Sequence, residues 1–191
     1  MQKIDRIYIF FLTIFTIFFH YICAYKGFFD FDQGKVLDGG YRIFCAQRPF
    51  VDFFTPIGPV PFYLQTFFYN CFGLEFFSYY LHAAVINLLA VLMIYQISLR
   101  LSDRYIAVLA SLVSSVSFYS VSGTPYYDTT SFFFALLAFY LLICPDLNGN
   151  FKLFLIGFSI SLSFMSKQNV GGIHFTLFLI YLMIHIKKKK K

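Results

Sequence analysis

The sequence predicts an all-α fold: a polytopic transmembrane helical bundle of about six crossings, with one or two interfacial helices in its first external loop. Three observations carry that expectation. Hydrophobic residues make up 59% of the 191-residue chain and charged residues 13%, against about 25% charged in an ordinary soluble domain. Mean hydropathy is +0.71. Apolar runs recur along the whole length between short polar breaks, so the bilayer is the solvent the pattern fits.

Residues 7–25 carry no charge and can cross ~30 Å of hydrocarbon at ~1.5 Å per residue. Lys3 and Arg6 precede them and put the N-terminus in the cytoplasm by the positive-inside rule. The run lacks a small-residue cleavage site and exceeds a signal-peptide core, so it reads as an uncleaved anchor. The loop 26–60 then lies outside. Within it, residues 35–45 have helical periodicity, with Val36, Leu37, Gly40, Tyr41 and Phe44 on one side. Lys35, Asp38, Arg42 and Cys45 take the other side, and Asp38 and Arg42 form an i,i+4 pair. Gly39 and Gly40 each weaken an isolated helix by about 1 kcal/mol relative to Ala. An amphipathic helix lying on the membrane surface would compensate for that.

Pro49, Pro56, Pro59 and Pro61 then interrupt the backbone repeatedly. A second helix fits residues 61–72, with proline in its first turn and Gly73 past its end. At ~18 Å it is too short to span, so a re-entrant or interfacial position is expected. Residues 76–99 cross and end at Arg100 and Arg104, which mark the cytoplasmic side. Residues 105–121 return outward, 123–128 turn, and 129–144 go back in. A polar turn at 145–150 leads to crossings at 151–166 and 170–186. The polar stretch Ser166, Lys167, Gln168 and Asn169 separates those two, because it cannot sit in hydrocarbon. Residues 1–186 thus form one transmembrane domain with both ends inside, followed by a lysine tail at 187–191.

The net charge of +6 owes most to that tail, which holds five of the 15 basic residues. No basic stripe interleaved with aromatics remains, so nucleic acid is excluded as a partner. The tail fits either a cytoplasmic helix anchor or the trace of a reading-frame slip in a homopolymer run. Phe and Tyr are abundant and Trp is absent, a mixture that AT-rich codon usage explains as well as an aromatic site does. Cys23, Cys45, Cys71 and Cys144 show neither a CxxC nor a Cys/His ligand pattern and read as free thiols.

The charges that remain concentrate in one place. Lys26, Asp30, Asp32, Lys35, Asp38, Arg42, Arg48 and Asp52 sit in or beside a single loop in a chain that is otherwise largely hydrocarbon. A purely connecting loop could be shorter and plainer. Phe31-Asp32-Gln33-Gly34, Gly40-Tyr41-Arg42, Arg48-Pro49-Phe50-Val51-Asp52-Phe53, Pro56-Ile57-Gly58-Pro59-Val60 and Tyr63 together resemble the first external loop of GT-C glycosyltransferases. These are the multi-pass enzymes of the protein O-mannosyltransferase and aminoarabinose-transferase type. The resemblance continues more weakly through Pro125-Tyr126-Tyr127-Asp128 and Ser166-Lys167-Gln168-Asn169, and spans residues 7–186.

That resemblance implies a glycosyltransferase that moves a sugar from a polyprenyl-phosphate donor to an acceptor hydroxyl on the external face of the plasma (inner) membrane. The acceptor would be a glycan, a lipid or a protein of the cell envelope. The family's external-loop carboxylate, which activates the acceptor, matches Asp32 as general base, with Asp30 as understudy. A carboxylate at a lipid–water boundary can have its pKa raised by partial desolvation, which suits a base. The departing phosphate needs cationic donors, and Arg42, Arg48 and Lys167 are the candidates, with Asp52 also in the substrate-binding set. Some relatives use a divalent cation and others do not, so the metal stays open.

Each residue also has a plainer reading. Asp32 is equally a solvated loop carboxylate, Asp52 a brace for the proline-rich turn, and Arg42 a partner for Asp38 alone. Asp128 reads as an N-cap for the Thr129-Thr130-Ser131 start. His20, His82, Asn87 and Gln96 read as helix–helix hydrogen-bonding groups, and they lack zinc-ligand spacing. Two other functions compete. A transporter or lipid flippase component would place ionisable groups at mid-membrane, and the predicted crossings hold no Asp, Glu, Lys or Arg at their centres. A non-catalytic membrane remnant would keep the fold alone. Members of the family usually continue through further crossings, so the chain is expected to correspond to their N-terminal part.

Overall fold

A computed structural model describes residues 3–26, 32–118, 123–143 and 149–189, although the side chains of Lys3, Asp32, Gln33 and several residues near the end of the last helix fall outside that description. Eight helices follow in order: α1 Lys3–Ala24, α2 Asp32–Phe44, α3 Val60–Phe72, α4 Phe76–Leu101, α5 Arg104–Ser117, α6 Tyr127–Ile143, α7 Gly149–Ser166 and α8 Gln168–Lys189. No strand occurs among the described residues. The molecule is an all-α helical membrane bundle, as the hydropathy pattern predicts. Ile4–Ala24, Phe76–Leu101 and Gly149–Ser166 are long and apolar enough to cross a bilayer, while Arg104–Ser117 and Tyr127–Ile143 are apolar but shorter. The outward return at 105–121 and the turn at 145–150 extend into residues outside the description.

Helices α1, α4 and α5 pack around Leu12, Val91, Tyr95 and Ala107. Helices α4 and α6 share a second core of Ala83, Ile86, Ala90, Met93, Phe133 and Phe134, and α6 and α7 meet around Ala138, Ile156 and Ile160. Small polar residues tie these faces together. The Ser131 hydroxyl donates to the Ser163 carbonyl at 2.8 Å and the Ser163 hydroxyl donates back at 2.9 Å, an interhelical link well suited to lipid surroundings. Three of the four polar residues expected to bond between helices do so. His82 Nδ1 meets Gln65 Oε1 at 2.9 Å, Asn87 donates to the Ser115 carbonyl at 3.3 Å, and Gln96 accepts from the Tyr140 hydroxyl at 2.9 Å. His20 is buried with its ring 5.4 Å from that of Tyr80. Cys23, Cys45 and Cys71 are free thiols.

The amphipathic helix expected at 35–45 exists as α2, but its buried stripe differs from the one the periodicity suggests. Tyr41 and Phe44 are exposed, and Val36, Gly39 and Gly40 face inward. The reason is steric. A Cβ at Gly39 would lie 2.5 Å from the Phe62 ring, and one at Gly40 would lie 2.6 Å from Gln65 Cγ. Two successive glycines therefore let α2 lie directly on α3, and the Thr66 hydroxyl seals the contact by donating to the Gly40 carbonyl at 2.9 Å. Helix α3 starts with Pro at its first positions and ends at Gly73 (φ 89°), the proline-in, glycine-out pattern read from the sequence.

Candidate functional site at the α2, α6 and α7–α8 junction

The proline-rich segment after α2 anchors the site. Gly58 packs so tightly on the end of α7 that a Cβ would lie 1.8 Å from the Met165 carbonyl oxygen, and its N–H donates to the Ser166 carbonyl at 3.3 Å. Only glycine fits there. Ile57, beside it, enters a core with Val36, Phe62, Tyr79 and Tyr127. One cluster thus joins α2, the loop, α3, the start of α4 and the start of α6.

Helix α7 stops at Ser166 and α8 starts at Gln168, leaving Lys167 between them at the break the sequence predicts. The reversal is close, since a Cβ on Gly171 would lie 2.2 Å from Phe164 Cα. Lys167 forms an ion pair with Asp128, and its Nζ lies 4.9 Å from the centre of the Tyr127 ring. Lys35 reaches the same ring from α2, with Nζ at 5.9 Å. Both distances fall within cation–π range. Tyr127 is 7% exposed, and its hydroxyl accepts from the Tyr126 hydroxyl at 3.3 Å. Two ammonium groups, a carboxylate and two phenols therefore converge at the N-terminus of α6, where the first-turn N–H groups add partial positive charge. Next to Asp128, at Thr129, begins an apolar cavity of about 810 Å³ lined also by Phe132, Phe139, Leu177 and Tyr181.

Asp128 does not cap α6 as its sequence context suggests. The Tyr126 carbonyl already accepts from the Thr130 N–H at 3.0 Å, so the helix starts before Asp128 and frees the carboxylate to meet Lys167. Lys35, Tyr127 and Asp128 are the members that sequence reasoning did not place in the site. The signal available was a Tyr-Tyr-Asp triplet at a helix start paired with a lysine in a helix break, and only the packing of α6 against α7 joins them.

The other candidates sit apart from this cluster or beyond description. Asp32 opens α2 one turn before Lys35, with its side chain outside the described part, and Asp30 lies outside the described residues. Arg42 is held by Asp38 at 2.7 Å and by the Phe53 ring at 5.5 Å. Arg48 and Asp52 hold each other: the Arg48 N–H and Nε donate to Asp52 Oδ2 at 2.7 and 3.2 Å. The backbone N–H of Arg48 holds the Asp52 carboxyl below its ordinary value of 3.8, with the guanidinium helping. The pair spans a turn in which Phe50 adopts φ 66°, strained for a bulky residue. Asp52 is thus the brace of the turn. Among the described residues, no three His, Cys, Asp or Glu side chains gather to hold a metal ion.

Fold and site together define a helical membrane bundle with a cluster of charged and phenolic groups at the start of α6 and an apolar cavity that begins at the neighbouring Thr129. The family model of dolichyl-phosphate-mannose-protein mannosyltransferases matches residues 55–191, well over half of the chain, and the chain belongs to that family. It is therefore a membrane glycosyltransferase of the GT-C kind. The match takes in Gly58, Tyr127, Asp128 and Lys167 and begins after the segment that holds Asp32, Arg42, Arg48 and Asp52. Neither the curated proteins nor the solved structures gave a significant match.

Proposed function

We propose that the chain takes part in transfer of a sugar from a polyprenyl-phosphate donor to an acceptor hydroxyl at the external face of the membrane. In this reading Asp32 takes the acceptor proton as the hydroxyl oxygen bonds to the anomeric carbon. The bond from that carbon to the phosphate oxygen breaks, and the phosphate leaves with the electron pair toward Lys167. The apolar cavity at Thr129 supplies room for the donor's hydrocarbon chain. Arg42 and Arg48, which the loop holds through Asp38 and Asp52, form the wall on the acceptor side. Six crossings, a cytoplasmic N-terminus and an external loop 26–60 complete the proposal.

The observation that supports it most is that Lys35, one turn after Asp32 on α2, reaches the same Tyr127 ring as Lys167. This supports reading a base on α2 and a cation at the α7–α8 break as parts of one site. The test compares Asp32→Asn with wild type, in the full reading frame, for transfer from a polyprenyl-phosphate sugar. General-base catalysis contributes about 10²–10⁴-fold, so a loss of that size is expected. Equal rates would remove Asp32 from the mechanism.

A further inference from the structure

We infer that α1, α4 and α5 hold an ordered water molecule inside the bundle, bound by the Thr16 hydroxyl, the Asn87 amide oxygen and the Ser114 hydroxyl. The site uses no residue of α6, α7 or α8 and is independent of the sugar-transfer reading.

The three groups fall in one layer. Leu12 packs with Val91, Tyr95 and Ala107, and Ala24 packs with Tyr80 and Ala84, so α1 and α4 run antiparallel. Thr16, one turn beyond Leu12, then meets α4 one turn before Val91, where Asn87 sits. On α5, Ser111 and Ser114 continue the stripe that Ala107 begins, and Asn87 donates to the Ser115 carbonyl at 3.3 Å. Thr16, Asn87 and Ser114 are 0%, 0% and 7% exposed. Among the described residues, Thr16 Oγ1, Asn87 Oδ1 and Ser114 Oγ nonetheless meet no hydrogen-bond partner.

Neighbouring hydroxyls behave differently. Thr13 donates to the Ile9 carbonyl at 2.8 Å, Ser111 to the Ala107 carbonyl at 2.7 Å and Ser115 to the Leu112 carbonyl at 2.7 Å. Thr16 and Ser114 leave that local bond unused. An unpaired polar atom is costly in a membrane interior, which bulk water does not reach. A buried water makes about three hydrogen bonds, and here two hydroxyls and one amide oxygen offer both donors and acceptors. The layer holds small side chains, whereas Leu12 and Tyr95 bound it on one side and His20 and Tyr80, with rings 5.4 Å apart, on the other. A ligand of water's size and polarity fits between them.

The test uses the purified full chain in detergent micelles. Water enters the micelle interior only where protein holds it. A nuclear Overhauser cross-peak from the Asn87 side-chain amide protons to the water resonance therefore reports the site directly. Wild type is expected to show that cross-peak, Thr16→Val should weaken it severalfold, and Thr16→Ser, which keeps the hydroxyl, should retain it. Thermal melting gives a second readout whose sign decides. With water bound, Thr16→Val lowers the melting temperature, because the water loses a partner. In a dry seam it raises the melting temperature, because it removes an orphaned hydroxyl. Thr16→Val combined with Ser114→Ala should lower it by less than the two single losses together, since both act through one water. Absence of the cross-peak in wild type, a melting temperature raised by Thr16→Val, or additive losses in the pair each overturn the inference.

Discussion

Gly40 and Gly34 sit two turns apart on α2 and should respond to alanine in opposite directions. At Gly40 the added carbon meets Gln65 Cγ at 2.6 Å, whereas at Gly34 it meets nothing within 4 Å among the described residues. Gly40→Ala is expected to cost about 1–3 kcal/mol as an overpacked contact. Gly34→Ala should contribute about 0.5–1 kcal/mol through helix propensity. Thermal unfolding of both variants in detergent checks the sign of each, and a stabilised Gly40→Ala would remove the close α2–α3 contact. Asp52 makes a second residue-scale prediction. Its folded-state pKa is depressed, so the brace contributes stability fully above the unfolded value of 3.8 and loses it as pH falls through the lower folded value. Pepsin cleavage around Phe50 and Phe53 should therefore stay slow down to pH 3.8 and rise only below it. In Asp52→Asn, which lacks the charge, cleavage should be fast across the whole range. Similar pH profiles for the two proteins would sink the brace.

At the scale of elements, the loop and the α7–α8 break form one mechanical unit joined at Gly58. A side chain there cannot coexist with the Met165 carbonyl, so Gly58→Val should lift the loop from α7 and draw α2 away with it. A short amine-reactive crosslinker should join Lys35 to Lys167 in wild type and fail to do so in Gly58→Val, as read by mass spectrometry of the digested protein. Persistent crosslinking would mean that α2 is held by other contacts. This unit also shows what the sequence could and could not tell. The helix at 35–45, the proline-to-glycine bounds of α3 and the stop at Ser166 were legible, because each follows from local periodicity, backbone restriction or polarity. The role of Gly39 and Gly40 was not. A glycine pair reads as a helix weakener until the partner helix that requires it is known. Asp128 misled for a related reason: a polar residue before Thr-Thr-Ser looks like a cap, and only the Tyr126 carbonyl bond shows that the helix has already begun. The Lys35–Tyr127–Lys167 convergence draws on three distant stretches of chain, which no local pattern connects.

At the scale of the whole molecule, the two ends of the bundle carry different charge arrangements, and that difference makes orientation testable. Near the N-terminus of α1, buried Asp5 accepts from Arg104 Nε at 3.0 Å and from the Tyr95 hydroxyl at 3.4 Å. This contact pins the start of α1 to the start of α5 and the end of α4. Asp5 is buried and Arg104 partly so, and losing either partner would leave the other charge poorly compensated. At the other end Lys35 and Lys167 reach the buried Tyr127 ring, Lys167 pairs with Asp128, and Cys45, just after α2, is exposed. The basic residues expected on the cytoplasmic side, Lys3, Arg6, Arg100 and Arg104, belong to the Asp5 end, while Lys167 belongs to the other. A membrane-impermeant maleimide should accordingly label a variant retaining only Cys45 in intact cells. It should label Asp103→Cys, made on a cysteine-free background, only after the membrane is permeabilised. The reverse pattern would place Lys35 and Lys167 in the cytosol, where an acceptor arriving from outside could not reach α2, and would overturn the proposed reaction while leaving the helical bundle intact.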